Sequence, residues 1–443
     1  MLSDTKKKIR PKDRATIIQA LRAGVVPRSG LHHVQVGRSD ELAQLNNDID
    51  LIADGGSSIR LVIGEYGAGK TFFLNLVRLI AMEKGLIVVN ADLAPDRRLH
   101  ASNGQARNLF AELTRNMATR TKADGGALSS IVERFVSRSM KEADEQNTSA
   151  EALIEERLAP LEGLVAGYDF TKVVTEFFFG ATTGDEERKS NALRWLRAEF
   201  TTKTDARKTL GVRTIIDDAN IYDYLKLYSQ FAKIAGYKGL LIVLDEMVNL
   251  YKLNSSVARS NNFEQILRIL NDVLQGHAEN IGFILGGTPE FLMDSRRGLY
   301  SYEALQSRLA ENTFATAEAR DLSGPVIRLQ NLAPEELYVL LSNIRNIFAS
   351  GNQEAFLVPD EALKSFMEHC SKLVGSAYFQ TPRKSIKAFV DLLSLLEQHP
   401  SMKWTDKISE VKVEDDLGES AEQISDGNSG DDSESDDLAS FTL

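Results

Sequence analysis

A single cysteine, Cys370, stands in 443 residues, which excludes a disulfide within the chain, and no Cys/His cluster has the spacing of a zinc site. That usage fits a reducing compartment. No apolar run approaches the roughly 18 residues that a membrane-spanning helix needs. The basic stretch from Met1 to Arg14 is not followed by the apolar segment of a secretory signal. The expected location is therefore the cytoplasm, with no membrane partner. Internal repeats are lacking as well. From Val413 to Leu443 there is no Lys or Arg. Eleven of the 63 acidic residues fall there and the remaining 52 balance the 52 bases, so the net charge of −11 belongs to this Ser/Asp/Gly-rich tail. Such a tail cannot bury enough apolar surface to fold alone. It reads as a solvated, solubilising end, although an acidic tail can also compete with DNA for a basic surface.

What is present is 43% apolar residues, enough for a sizeable core and two or three structural units. Residues 1–35 make a basic, helical N-terminal segment in which Ala15 to Ala23 forms a short helix and Gly24, Pro27 and Gly30 break it. Residues 36–330 read as an α/β core. It opens with an amphipathic helix capped by Ser39 or Asp40, with Leu42, Leu45, Ile49 and Ile52 on its apolar side. Apolar runs at Ile59 to Ile63, Leu86 to Ala91, Gly239 to Glu246, Ile281 to Leu285 and Pro325 to Leu329 have the character of parallel strands buried on both faces. Between about residues 99 and 237 the pattern turns to helices such as Gly104 to Thr121, Ala127 to Glu142 and Ile221 to Ala235, a helical insertion. Another helix spans Asn262 to Gln275. Residues 331–400 read as a small helical lid, and 413–443 as a disordered acidic tail.

The chemistry concentrates in three places. Gly64-Glu65-Tyr66-Gly67-Ala68-Gly69-Lys70-Thr71 satisfies Gly-x-x-x-x-Gly-Lys-Thr, and it follows an apolar strand and opens a helix. Such a loop wraps its backbone N–H groups around phosphates at a helix N-terminus. Lys70 would reach the β- and γ-phosphates of ATP, and Thr71 would ligate Mg²⁺ through its hydroxyl. The strand ending in Leu244-Asp245-Glu246 delivers two carboxylates to the same edge of the sheet. There Asp245 would hold Mg²⁺ and its hydration sphere, while Glu246 would orient or deprotonate the attacking water. Thr288 follows the strand Ile281 to Leu285, where a hydroxyl can bond water or the γ-phosphate; alone, it would be a turn residue with a satisfied hydroxyl.

Positive charge for the developing γ-phosphate could come from Arg296, Arg297 or Arg308, or from Arg383, which opens a helix after Thr381-Pro382. For the first three, a surface salt bridge is the competing account. In the insertion, Arg194-Trp195-Leu196-Arg197 and Arg207-Lys208 could touch DNA; Trp195 packed inward with its arginines in solvent is the alternative.

Taken in order, these elements resemble AAA+ ATPases of the origin-recognition-complex-like branch. The resemblance makes Gly64 to Thr71 Walker A, Asp245 and Glu246 Walker B, Thr288 sensor 1, Arg383 sensor 2 and Arg308 the arginine finger. The stretches Ala20 to Pro27, Gly64 to Thr71, Ala91 to Leu99 and Ala192 to Leu196 are similar to the BrxD family of ATP-binding proteins from bacterial BREX systems. That likeness implies ATP hydrolysis in defence against bacteriophage. It implies other BREX components, DNA and a second copy of the chain as partners. An ATP-occupied switch with negligible turnover is the rival reading. The acidic tail departs from the family pattern, and its role stays open.

Overall fold

Five apolar runs form one parallel sheet: β1 Ser57–Gly64, β2 Ile87–Asp92, β3 Leu240–Asp245, β4 Ile281–Gly287 and β5 Val326–Leu329. Their spatial order is β2-β3-β4-β1-β5, with every neighbouring pair parallel. All residues of β3 and β4 are buried, as strands covered by helices on both faces require. The computed structural model describes residues 9–27, 29–316, 320–374 and 382–410. Lys6, Lys7, Lys8, Thr381 and the acidic tail lie outside the described residues.

One face of the sheet is covered by helices Ser39–Ala53 and Lys70–Glu83, whose Leu45, Ile49, Phe73 and Val77 pack on Val62 and Val243. On the other face, helices Gln105–Arg115, Ile221–Ile234 and Ser256–Leu274 contribute to a core that runs without interruption from the strands into the helices between β2 and β3. Aromatic edges carry that continuity. Phe110 meets Tyr224 and Tyr228, Phe170 meets Tyr228 and Phe231, and Trp195 meets Tyr224, all at ring separations of 5.4–6.3 Å. Such pairs add about 0.5–1.5 kcal/mol each beyond the area they bury.

Several boundaries differ from the periodicity. The helix expected from Gly104 to Thr121 stops at Arg115, because the chain then turns and Ala118 pairs antiparallel with Val88. That pairing covers the otherwise open edge of β2. The helix expected at Asn262 begins at Ser256, where the Ser255 hydroxyl accepts from the Ala258 amide at 3.2 Å. The N-terminal helix is Pro11–Arg22, four residues longer at its start than the apolar spacing shows, with Pro11 in the first turn.

That first helix does not stand apart. Ile9 and Ile17 share a core with Leu341, Phe366, Phe389 and Leu393 from helices Pro334–Phe348, Asp360–Val374 and Pro382–Gln398. Arg14 and Glu397 pair at 2.5 Å, and Arg22 and Asp391 at 3.3 Å. The two ends of the described chain thus form one helical unit beside β5 and the phosphate loop.

Candidate functional site

The loop after β1 is held in place by its own residues. Gly69 precedes helix Lys70–Glu83 with φ of 80°, and Gly67 has φ of 85°, left-handed values that suit glycine. The Lys70 ammonium donates to the Gly64 carbonyl at 2.8 Å and to the Glu65 carbonyl at 2.9 Å. Burial lowers its pKa, while Asp245, Glu246, Glu65 and Glu290 pull the other way. The first N–H groups of the helix have no partner within it, so this end of the helix favours anions.

The acidic pair arrives on β3. Thr71 Oγ1 donates to Asp245 Oδ2 at 2.8 Å, and the Glu246 amide donates to Asp245 Oδ1 at 2.9 Å. Glu246 itself takes a left-handed φ of 57°, which turns the chain sharply at the strand end. Asp245 packs closely on β4: a Cβ at Gly286 would lie 2.5 Å from its Oδ1. Loss of hydration raises the Glu246 pKa, and the Asp245 and Asp92 carboxylates add to the effect against the opposing pull of Lys70. A hydroxyl and a carboxylate oxygen converging beside a phosphate loop are the hard donors that Mg²⁺ takes, with phosphate oxygens and water completing its shell. Among the described residues no group of three or more His, Cys, Asp or Glu is arranged to hold a metal.

A cleft of about 670 Å³ opens over these groups. Its polar end is the loop, Asp92, Asp245 and Glu246, and its apolar end is walled by Leu21, Val26, Val36, Leu332, Leu340 and Ile386. Lys70, Thr71, Asp245, Glu246 and Arg383 therefore meet around one cavity, Arg383 from the far wall on helix Pro382–Gln398. Tyr66 and Ala68 line it as well.

Four of the residues expected to act on the γ-phosphate, Thr288, Arg296, Arg297 and Arg308, do not line this cavity. The Thr288 hydroxyl sits just beyond β4 and accepts from the Phe291 amide at 3.5 Å, capping the short helix Pro289–Met293. Arg308 lies on helix Glu303–Leu309 and donates to Asn271 Oδ1 at 2.7 Å and to the Ala304 carbonyl at 2.9 Å. Arg297 donates to the Leu253 carbonyl and stacks on Tyr251, while Arg296 donates its amide to Asp294. Trp195 is buried with its indole N–H on the Thr214 carbonyl at 2.9 Å, and Arg194 lies over the Phe200 ring.

Six polar residues of the cleft were not singled out by the motifs: Gln35, Arg38, Asn75, Arg78, Asn90 and Asp92. Asp92 pairs in register with Asp245 across β2 and β3. Desolvation and Asp245 raise its pKa, opposed by Arg97 and Arg78. An acid at the end of a parallel strand was the available signal, hidden because the apolar run stops at Ala91. Arg38 precedes helix Ser39–Ala53 at φ 60°, and its Nη2 donates to the carbonyls of Ala68 at 2.6 Å and Gln330 at 2.7 Å. The Ser39 hydroxyl meets the Asp40 carboxylate, so neither Ser39 nor Asp40 is the side-chain cap that was expected.

A parallel sheet in this order, with a phosphate loop after β1 and an acidic strand end beside it on β3, is the α/β core of a P-loop nucleoside triphosphatase fold. Residues 9–412 match the family described as BREX system ATP-binding protein BrxC/D, and the chain belongs to that family. Comparison with curated proteins gives no match. Among the described residues no helix is long and apolar enough to cross a membrane.

Proposed function

We propose that this chain is an AAA+ ATPase that binds ATP with Mg²⁺ and hydrolyses it to drive or time conformational change in a BREX anti-phage complex acting on DNA. The 2.8 Å contact between Thr71 and Asp245, with Glu246 next in sequence at the cleft, carries the proposal. The backbone of Gly64 to Thr71 and the Lys70 ammonium cradle the phosphates, and the apolar wall takes the base. Thr71 and Asp245 would hold Mg²⁺, which would supply positive charge against the phosphates. Glu246, its pKa raised, takes the proton of the attacking water. Arg383 would act as sensor 2 from a helical lid, Thr288 as sensor 1 and Arg308 as an arginine finger in a second copy. The cytoplasm, other BREX components and DNA complete the proposed setting.

A second reading has its own observation. Thr288 and Arg308, two of the groups expected to act on the γ-phosphate, are bonded elsewhere in the single chain. That favours an ATP-occupied switch with negligible turnover in the isolated protein. Steady-state hydrolysis by wild type and Glu246→Gln, with and without DNA, together with direct ATP binding, separates the two. The ATPase reading expects turnover lost by about 100-fold or more in the variant, the usual worth of a general base, with binding kept. Equal binding and no turnover in either protein would establish the switch.

A further inference from the structure

Arg38 lines the cleft, and no motif assigns it. Its backbone holds φ 60° and ψ 27°, a left-handed conformation that a non-glycine residue rarely adopts. Its guanidinium is half-buried where the chain enters the core. Its Nη2 spans two carbonyls that belong to different parts of the machine. One is Ala68 in the phosphate loop; the other is Gln330, the first residue after β5 and the start of the passage into helix Pro334–Phe348.

The Ala68 carbonyl matters because of what lies across the same peptide plane. A trans peptide points its C=O and the following N–H in opposite directions. Holding the Ala68 oxygen toward Arg38 therefore turns the Gly69 N–H the other way, at the N-cap of helix Lys70–Glu83, the kind of position where backbone N–H groups bind anions. Gly69, with no side chain and φ of 80°, gives this plane little resistance to rotation of its own. A charged donor on the carbonyl supplies what the glycine does not. Glu41 and Glu336 lie close enough to stabilise the Arg38 charge, and the Glu336 carboxylate also accepts from the Ala333 amide at 2.8 Å.

We propose that Arg38 is a positioning residue of the nucleotide site: it fixes the Ala68–Gly69 peptide for phosphate binding and ties the phosphate loop to the Gln330 passage into the C-terminal helices. The inference rests on the proposed binding of ATP by the phosphate loop. Occupancy of the loop is then felt at Gln330 through a single guanidinium.

The test uses the full chain and three probes, ATP, ADP and adenosine, bound to wild type, Arg38→Ala, Arg38→Lys and Lys70→Ala. Arg38→Ala is expected to weaken ATP and ADP by about tenfold, the worth of one hydrogen bond to a charged group, and to leave adenosine, which has no phosphate, unchanged. Arg38→Lys, which keeps a cationic donor, recovers part of the loss. Hydrogen exchange adds a second readout: ATP slows exchange at residues 330–333 in wild type and loses that effect in Arg38→Lys while still protecting residues 67–71. Equal weakening of all three probes would mean a general structural role and overturn the proposal, as would undiminished ATP affinity in Arg38→Ala. If alanine prevents folding, the lysine variant decides by the same comparison of ATP with adenosine. Lys70→Ala binding ATP as well as wild type would instead overturn the phosphate-loop reading beneath it.

Discussion

Thr71 and Asp245, 174 residues apart in the chain, meet at 2.8 Å between hydroxyl and carboxylate. One opens the helix after β1 and the other ends β3, and β4 lies between those strands in the sheet. The pair can therefore form only when the sheet has its final order. Thr71→Val keeps the shape of the side chain and removes the hydroxyl. ATP affinity measured in EDTA should match wild type, while the gain on adding Mg²⁺ falls by about tenfold, one hydrogen-bonding ligand's worth. An unchanged Mg²⁺ gain would remove Thr71 from the metal site.

Gly286 tests the same carboxylate from behind. A methyl group there would press on Asp245 Oδ1 at 2.5 Å and Leu74 Cδ1 at 2.9 Å. Gly286→Ala should cost about 1–3 kcal/mol of stability, as overpacking does, and should lower turnover more than ATP affinity because the displaced group is Asp245. Calorimetric melting with paired binding and rate measurements reads both, and a variant with wild-type melting and turnover would contradict the packing.

Trp195 reports on how the helices between β2 and β3 are joined to the sheet. Its side chain is fully enclosed and touches Tyr224, which in turn meets Phe110. Trp195→Ala should cost about 3–5 kcal/mol and lower one shared unfolding transition in which ATP binding is lost together with the helices. Two separated transitions would show that the helical segment is energetically independent of the nucleotide site.

Asp321 gives a pH signature. It accepts from the Ser323 hydroxyl at 2.6 Å, the Ser323 amide at 2.9 Å and Asn312 at 2.8 Å, and these donors, led by the Ser323 and Asn312 side chains, bring its pKa down to about 2. Because the folded value lies below the ordinary 3.8, the carboxylate stabilises the fold above that ordinary value and loses its contribution as pH falls toward 2. The stability advantage of wild type over Asp321→Asn should hold constant from about pH 6 to 5 and shrink below about pH 4. A flat difference down to pH 3, followed by denaturant midpoints, would contradict the assignment.

The strands and the phosphate loop were legible because each is a local pattern: an apolar run bounded by turns, or a glycine spacing with a lysine. Asp245 and Glu246 were legible for the same reason. Asp92 was not, since the apolar run that marks β2 ends one residue before it. Nor was the apolar wall, because Leu21, Val36, Leu332 and Ile386 come from separate stretches that meet only in the folded chain. Arg38 was masked by plausible capping residues beside it, and its hydrogen bonds go to backbone carbonyls 30 and 292 residues away. Thr288 and Arg308 stand where the resemblance places γ-phosphate partners, yet local bonds claim both side chains.

The sharing of one core by helix Pro11–Arg22 and helix Pro382–Gln398 also sets an order of events on the ribosome. Contacts between such distant segments are paid for in chain entropy and wait until both have emerged. The sheet and its phosphate loop have their strands once β5 is out, whereas helix Pro11–Arg22 waits for its partner until Pro382–Gln398 has emerged. The apolar half of the cleft, to which Leu21 and Ile386 both contribute, is thus completed only after the loop, so that a product ending soon after β5 would carry the loop without its apolar wall.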